Sequence, residues 1–150
     1  MTVTMEDVRR ALDPDEVDYA EASRLGPEAM PHLMALVQQN DPSISPKAAY
    51  LAGVIESGES EAVVAAAAAS DDARVRIAAA EAAAMLAPAA ASRVLDALVL
   101  DSDAGVQKLA LRSVSAGLSP DLRDKVREVS ERAPSEALRE IAGEALRRLQ

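Results

Sequence analysis

One register of about 31 residues constrains this chain more than any other feature. Three segments align: DDARVRIAAAEAAAML from Asp71, SDAGVQKLALRSV from Ser102 and SEALREIAGEALRRL from Ser135. Their anchors Val75, Val106 and Leu138 are nearly evenly spaced, and small residues then coincide at Ala79, Ala110 and Ala142. One step back, Ile44 and Ala48 occupy the same slots within DPSISPKAAYLAGVI. DEVDYAEASRLG, before Gly26, is a fifth and weaker copy. Self-similarity at such a period marks a supersecondary unit that cannot bury its apolar stripe alone and must stack on its neighbours.

Between these copies lies a second amphipathic segment each time. In PEAMPHLMALVQQN, Met30, Leu33, Met34 and Val37 fall at helical spacing. The counterparts are Val63, Val64 and Ala67, then Val94, Leu95 and Leu98, then Val126 and Val129. Breakers stand at the joints: Pro14, Gly26-Pro27, Asp41-Pro42, Gly58, Pro88, Gly117 with Pro120, and Pro134. Ser119-Pro120 and Ala133-Pro134 place proline near a helix start, where its missing N–H does no harm. The pattern predicts an all-α chain of ten helices in five antiparallel pairs, stacked as an α-solenoid, with no β alternation. Residues 1–150 are expected to form a single domain, with approximate repeats 4–40, 41–70, 71–101, 102–132 and a partial 133–150.

Composition bears on how such an array packs. Phe, Trp and Cys are absent, Tyr19 and Tyr50 are the only aromatics, and alanine dominates the apolar set. Alanine favours helix but buries little area, so close helix contacts are needed, with Leu, Val, Ile and Met supplying most of the burial. Lack of Cys excludes disulfides, thiolate metal sites and a Cys nucleophile. The apolar runs AVVAAAAA and IAAAEAAAMLAPAAA fall short of the roughly 20 residues of a membrane helix. MTVTMEDVRRALDPDE has no apolar core of a secretory signal, so a cytoplasmic location is expected.

LGPEAMPHLMALVQQNDPSI, beginning at Leu25, resembles the second helix and turn of a HEAT repeat. DDARVRIAAAEAAAML is similar to the first helix of the bacterial HEAT-like repeats related to those of phycobiliprotein lyases. The resemblance covers roughly residues 15–149. It implies a scaffold and leaves the activity open. It also implies a ladder between repeats, from a turn Asp to an Arg after the anchoring valine. Asp71 or Asp72 with Arg76 matches that; Gln107 and Ser45 stand where an Arg would be, and Arg139 has no matching turn Asp.

A catalytic set does not emerge. His32 is the single histidine, expected on the exposed side of its helix, and His-pair metal sites cannot be built from one. The His-Glu pairs of HEAT-like deoxyhypusine hydroxylases are missing, as are a G-x-S-x-G elbow, a Walker A loop and a G-x-G-x-x-G run. Asp71-Asp72 and Asp101-Asp103 suit helix capping better than cation binding. HEAT-like DNA glycosylases would require a basic face with aromatics, which this chain lacks. No enzyme, metal or cofactor is therefore expected.

The expected function is a non-catalytic protein-binding scaffold or adaptor. Its alternatives are a HEAT-like accessory enzyme such as a lyase, or a self-assembling structural subunit. The second helix of each pair would line the concave face. Outward positions give one row of His32, Ala62, Arg93 and Asp124, a second of Ala35, Ala65, Asp96 and Arg127, and a flanking set of Gln39, Ala69 and Glu131. Candidate partner-binding residues are accordingly His32, Ala35, Gln39, Ala65, Arg93, Asp96, Asp124, Arg127 and Glu131. Arg93–Asp96 and Asp124–Arg127 also have the spacing to pair within one helix.

Net charge is −9, and residues 1–61 carry 12 acidic and 4 basic side chains, a balance of −8. Such a balance serves solubility or a partner with a basic surface facing the amino-terminal half, and either way disfavours nucleic acid. The last helix, with Leu138, Ile141, Ala145 and Leu149 on one stripe, reads as a polar-faced end. The first, around Met5, Val8 and Leu12, is less regular, leaving monomer or homodimer open.

Overall fold

The computed structural model describes residues 2–115, 117 and 119–149. Among them are ten α-helices and no strand. The helices are α1 (Met5–Leu12), α2 (Tyr19–Ala22), α3 (Met30–Gln38), α4 (Ser45–Val54), α5 (Ser60–Ala68), α6 (Ala73–Ala83), α7 (Pro88–Leu98), α8 (Ala104–Arg112), α9 (Pro120–Arg132) and α10 (Glu136–Arg148). Two 3-10 turns, Ser23–Leu25 and Pro27–Ala29, join α2 to α3 around Gly26, whose φ of 73° suits a residue without Cβ. The all-helical expectation holds. At the amino-terminal end the weak copy gives only the four-residue α2 followed by a 3-10 turn.

Local chemistry accounts for where the helices begin. Thr4 and Asp7 form a reciprocal capping box on α1. Asp18, Asp72, Asp103, Ser119 and Ser135 each accept a backbone N–H of the turn that follows. Pro88 and Pro120 open α7 and α9, as their joints suggest. Asp72 and Asp103 thus serve as caps, as their sequence neighbourhoods imply.

Packing follows chain order. α4 packs on α6, α6 on α8 and α8 on α10, while α3 packs on α5, α5 on α7 and α7 on α9. Adjacent helices α4–α5 and α6–α7 close pairs, while α3–α4, α5–α6 and α9–α10 join one pair to the next. The register slots explain how the first series fits. Ala48, Ala79, Ala110 and Ala142 are all fully buried, and the anchors Ile44, Val75, Val106 and Leu138 are buried with them. The second-helix stripes of Val63, Val64, Ala67, Val94, Leu95, Leu98, Val126 and Val129 are buried likewise. A methyl at the slot lets two backbones approach where a larger side chain would hold them apart. Gly53 shows the limit of that approach: an added Cβ would lie 2.9 Å from Met85 Cε and 3.0 Å from both Cβ and O of Ala82.

The residue following each anchor has a shared role that its identity conceals. Ser45 Oγ donates to Leu36 O at 2.6 Å, Arg76 Nη1 to Ser70 O at 2.9 Å, Gln107 Nε2 to Val99 O at 3.0 Å and Arg139 Nη1 to Ala133 O at 2.6 Å. Each closes the carbonyl end of the segment before its own helix, where backbone acceptors lack intrahelical partners. An ion pair occurs at one of the four. Arg76 reaches forward to Asp101 by Nε–Oδ2 at 2.9 Å and Nη2–Oδ1 at 3.2 Å. The partnership expected with Asp71 or Asp72 is therefore corrected. Asp72 caps α6 and binds Arg74, and the acid facing Arg76 comes from the next joint.

Candidate functional site

The outward side of α3, α5, α7 and α9 is the surface to which the sequence assigns binding. Ala65, Arg93, Asp124, Arg127 and Glu131 are exposed there, as are Ala62, Ala69, Ala89 and Ala97; Ala35 and Asp96 are half-buried. The middle, across α5, is alanine with no charge of its own beyond Glu61 at the helix start.

Two of the candidates prove to be joints. His32 is half-buried, not exposed, with Nε2 at 2.9 Å from Val3 O. A carbonyl only accepts, so this contact places the proton on Nε2. Val3 N in turn donates to Glu28 Oε2 at 3.2 Å, and Gln39 Oε1 accepts from Arg9 Nη2 at 3.2 Å. Helical periodicity marks His32 and Gln39 as outward because it cannot register a segment arriving from elsewhere. α1 and the residues before it lie against α3, and Val8 and Leu12 are buried there. Lys47 Nζ fixes the end of α1 by donating to Leu12 O at 3.1 Å and Pro14 O at 2.9 Å.

The charges toward the carboxyl-terminal half are tied across helices, not within them. Arg93 on α7 grips both carboxylate oxygens of Glu61 on α5, with Nη2–Oε1 at 2.8 Å. Those hydrogen bonds hold the Glu61 carboxyl below its ordinary range and push the Arg93 guanidinium up. Asp96 Oδ2 on α7 pairs with Lys125 Nζ on α9 at 2.7 Å. The within-helix pairing of Arg93 with Asp96 is therefore corrected. Arg93 and Asp96 face opposite neighbours because their partners sit one helix away in each direction. Among the described residues no ion pair joins Asp124 to Arg127. Arg93 is mostly exposed and both pairs are solvated, so each contributes little to stability and acts mainly on geometry.

An open groove of about 660 Å³ lies beside these pairs, lined by Pro88, Ala89, Ser92, Arg93, Asp96 and Asp121 among others. It brings Arg93 and Asp96 to one concavity; His32, Ala35, Gln39 and Ala65 lie outside it. Among the described residues no group of three or more His, Asp or Glu side chains is placed to hold a metal ion. No helix among them is long and apolar enough to cross a membrane.

Sequence reasoning overlooked a contact that its own register contains. Tyr19 and Tyr50 stand one register step apart, and their rings meet at 4.6 Å between centroids with an interplanar angle of 59°. Burial raises the Tyr19 phenol above its ordinary value, with the neighbouring Tyr50 and Glu81 adding to the effect. Compared with known proteins, the chain matches no family model, no curated protein and no solved structure.

Proposed function

We propose that the chain is a short HEAT-like α-solenoid that binds a segment of another protein on the face formed by α3, α5, α7 and α9. In this reading the units are the approximate repeats 4–40, 41–70, 71–101, 102–132 and 133–150. The order of helix packing supports the architecture, since each row joins helices two places apart along the chain. The binding role rests on one observation. Ala62, Ala65 and Ala69 expose a low, uncharged strip, while the charges bordering it, Glu61 with Arg93 and Asp96 with Lys125, already satisfy one another. Such a strip admits a helix or extended peptide at close range without leaving a charge unpaired on binding. Arg127, Asp124 and Glu131, exposed on α9 beyond α7, set orientation by charge where a segment runs on past the strip.

A photo-crosslinking residue introduced at Ala65 in the cell tests this. The expected result is a discrete adduct that is lost when Ala62→Arg is added and absent when the probe replaces exposed Arg112 on α8. Equal adducts at both positions, or survival of the adduct with Ala62→Arg, would refute a binding role for the strip.

A further inference from the structure

A second concavity lies at the amino-terminal end, between α1 and α2. It is an open hollow of about 450 Å³ whose apolar lining is Ala11, Pro14, Ala22 and Leu25. Its border carries the carboxylates of Asp7, Glu16, Asp18 and Glu21. Arg10 pairs with Asp7 at 3.7 Å and Arg24 with Glu21 at 3.5 Å, and Lys47 reaches Pro14 O, so acid exceeds base around it without being unopposed. Asp7 and Asp18 are held in place, Asp7 by accepting the Thr4 N–H within the capping box and Asp18 as the cap of α2. Asp13 and Asp15, exposed in the adjoining loop, add to the same field.

The arrangement selects among cations. Its carboxylates surround the floor without converging: among the described residues no three of them come close enough to chelate an ion. A spread ring of negative charge matches an extended polycation instead. Nucleic acid and anionic lipid carry the wrong sign for it. The apolar floor calls for a ligand that also carries apolar side chains, and a trough between two helices is the shape that receives a third.

We propose that the groove between α1 and α2 docks a short amphipathic helix of a partner protein, with its small apolar side chains on the floor and its Lys or Arg side chains against the acidic border. This deepens the protein-binding reading above but uses a different face, so either can fail alone. The probe is a labelled twelve-residue peptide with leucine and alanine on one face and lysine on the other, followed by fluorescence anisotropy.

Binding should weaken about tenfold with Glu16→Lys and Glu21→Lys together, since two exposed charges are reversed. Neither residue caps a helix, so circular dichroism should be unchanged. Reversal of Glu140 and Glu144 on α10 removes the same net charge elsewhere and should leave affinity within twofold. Ala65→Arg should also have no effect; loss of binding there would assign the peptide to the α5 face and overturn the proposal. Equal weakening by the two double reversals, equal binding of a lysine–serine peptide or full competition by spermidine would each reduce the effect to net charge and overturn it. So would the absence of binding at low salt.

Discussion

The contact between Arg76 and Asp101 allows the joint between two helix pairs to be weighed. The two side chains are only 17% and 10% exposed, and Arg76 makes three hydrogen bonds, two to the carboxylate and one to Ser70 O. Arg76→Met keeps the aliphatic stem and removes all three donors. Asp101 is then left nearly buried with the Asp103 N–H, at 2.8 Å, as its remaining donor. Breaking a buried pair from one side costs about 3–5 kcal/mol, and the residual exposure with that retained donor places this case near 3 kcal/mol. For a chain of this size that lowers the melting temperature by about 6–12 °C. Asp101→Asn should cost less, about 2 kcal/mol: the Arg76 charge, 17% exposed, loses its counter-ion, but the amide oxygen can still accept from Asp103 and Arg76 keeps Ser70 O. Urea unfolding followed at 222 nm gives both values, and the double variant closes the cycle. A coupling of about 1–2 kcal/mol is expected, with the double variant costing less than the sum. Additivity within about 0.5 kcal/mol would show that the joint is held by its carbonyl contacts and that the ion pair is incidental.

Three further outcomes follow from the packing and the charges. Gly53→Ala should destabilise by about 1–3 kcal/mol in thermal unfolding, and adding Met85→Ala should recover only part of this, because the added methyl also meets the rigid Cβ and O of Ala82. Ser45→Ala strands the buried Leu36 carbonyl and the Asp41 N–H, so a loss of about 1–3 kcal/mol is expected, with Ser45→Thr far milder by the same assay. Asp7, Asp41, Asp72 and Glu61 are all lowered in the fold from ordinary values of 3.8 to 4.5 by hydrogen bonds to Thr4, Ser43, Arg74 and Arg93. Their stabilising effect is present above those values and is lost as pH falls through and below them. Midpoints in urea should be flat from pH 7 to about 5 and fall from about 4 downward. Tyr19, raised above 10.0, acts in the opposite sense and should weaken the fold as pH climbs past that value. A fall that Tyr19→Phe leaves unchanged would place its origin elsewhere.

Much of the architecture was legible because it depends on period. The anchors and small slots at Ile44/Ala48, Val75/Ala79, Val106/Ala110 and Leu138/Ala142 are the buried contacts of one row, and spacing alone locates them. Turn chemistry was legible too, since Asp103, Ser119 and Ser135 cap through their immediate neighbours. Contacts that cross the register resisted sequence reading. Glu61 meets Arg93 and Asp96 meets Lys125 across a whole helix pair, so small offsets between helices decide who pairs with whom. His32 misled for a related reason: a single helix shows which way it faces but not what arrives to cover it. The Tyr19–Tyr50 contact was the reverse case, visible in the spacing yet hidden because the two copies differ so much around it.

The donors Ser45, Arg76, Gln107 and Arg139 share one duty while differing in size and charge. Each unit thus carries its own fastener for the stretch of chain that delivers it, independent of what fastens the others. A gene lengthened by one tandem copy would add a segment already equipped to lock on. Growth or trimming by whole units then becomes an accessible evolutionary route, and the reach of the molecule can change without redesign of any single seam.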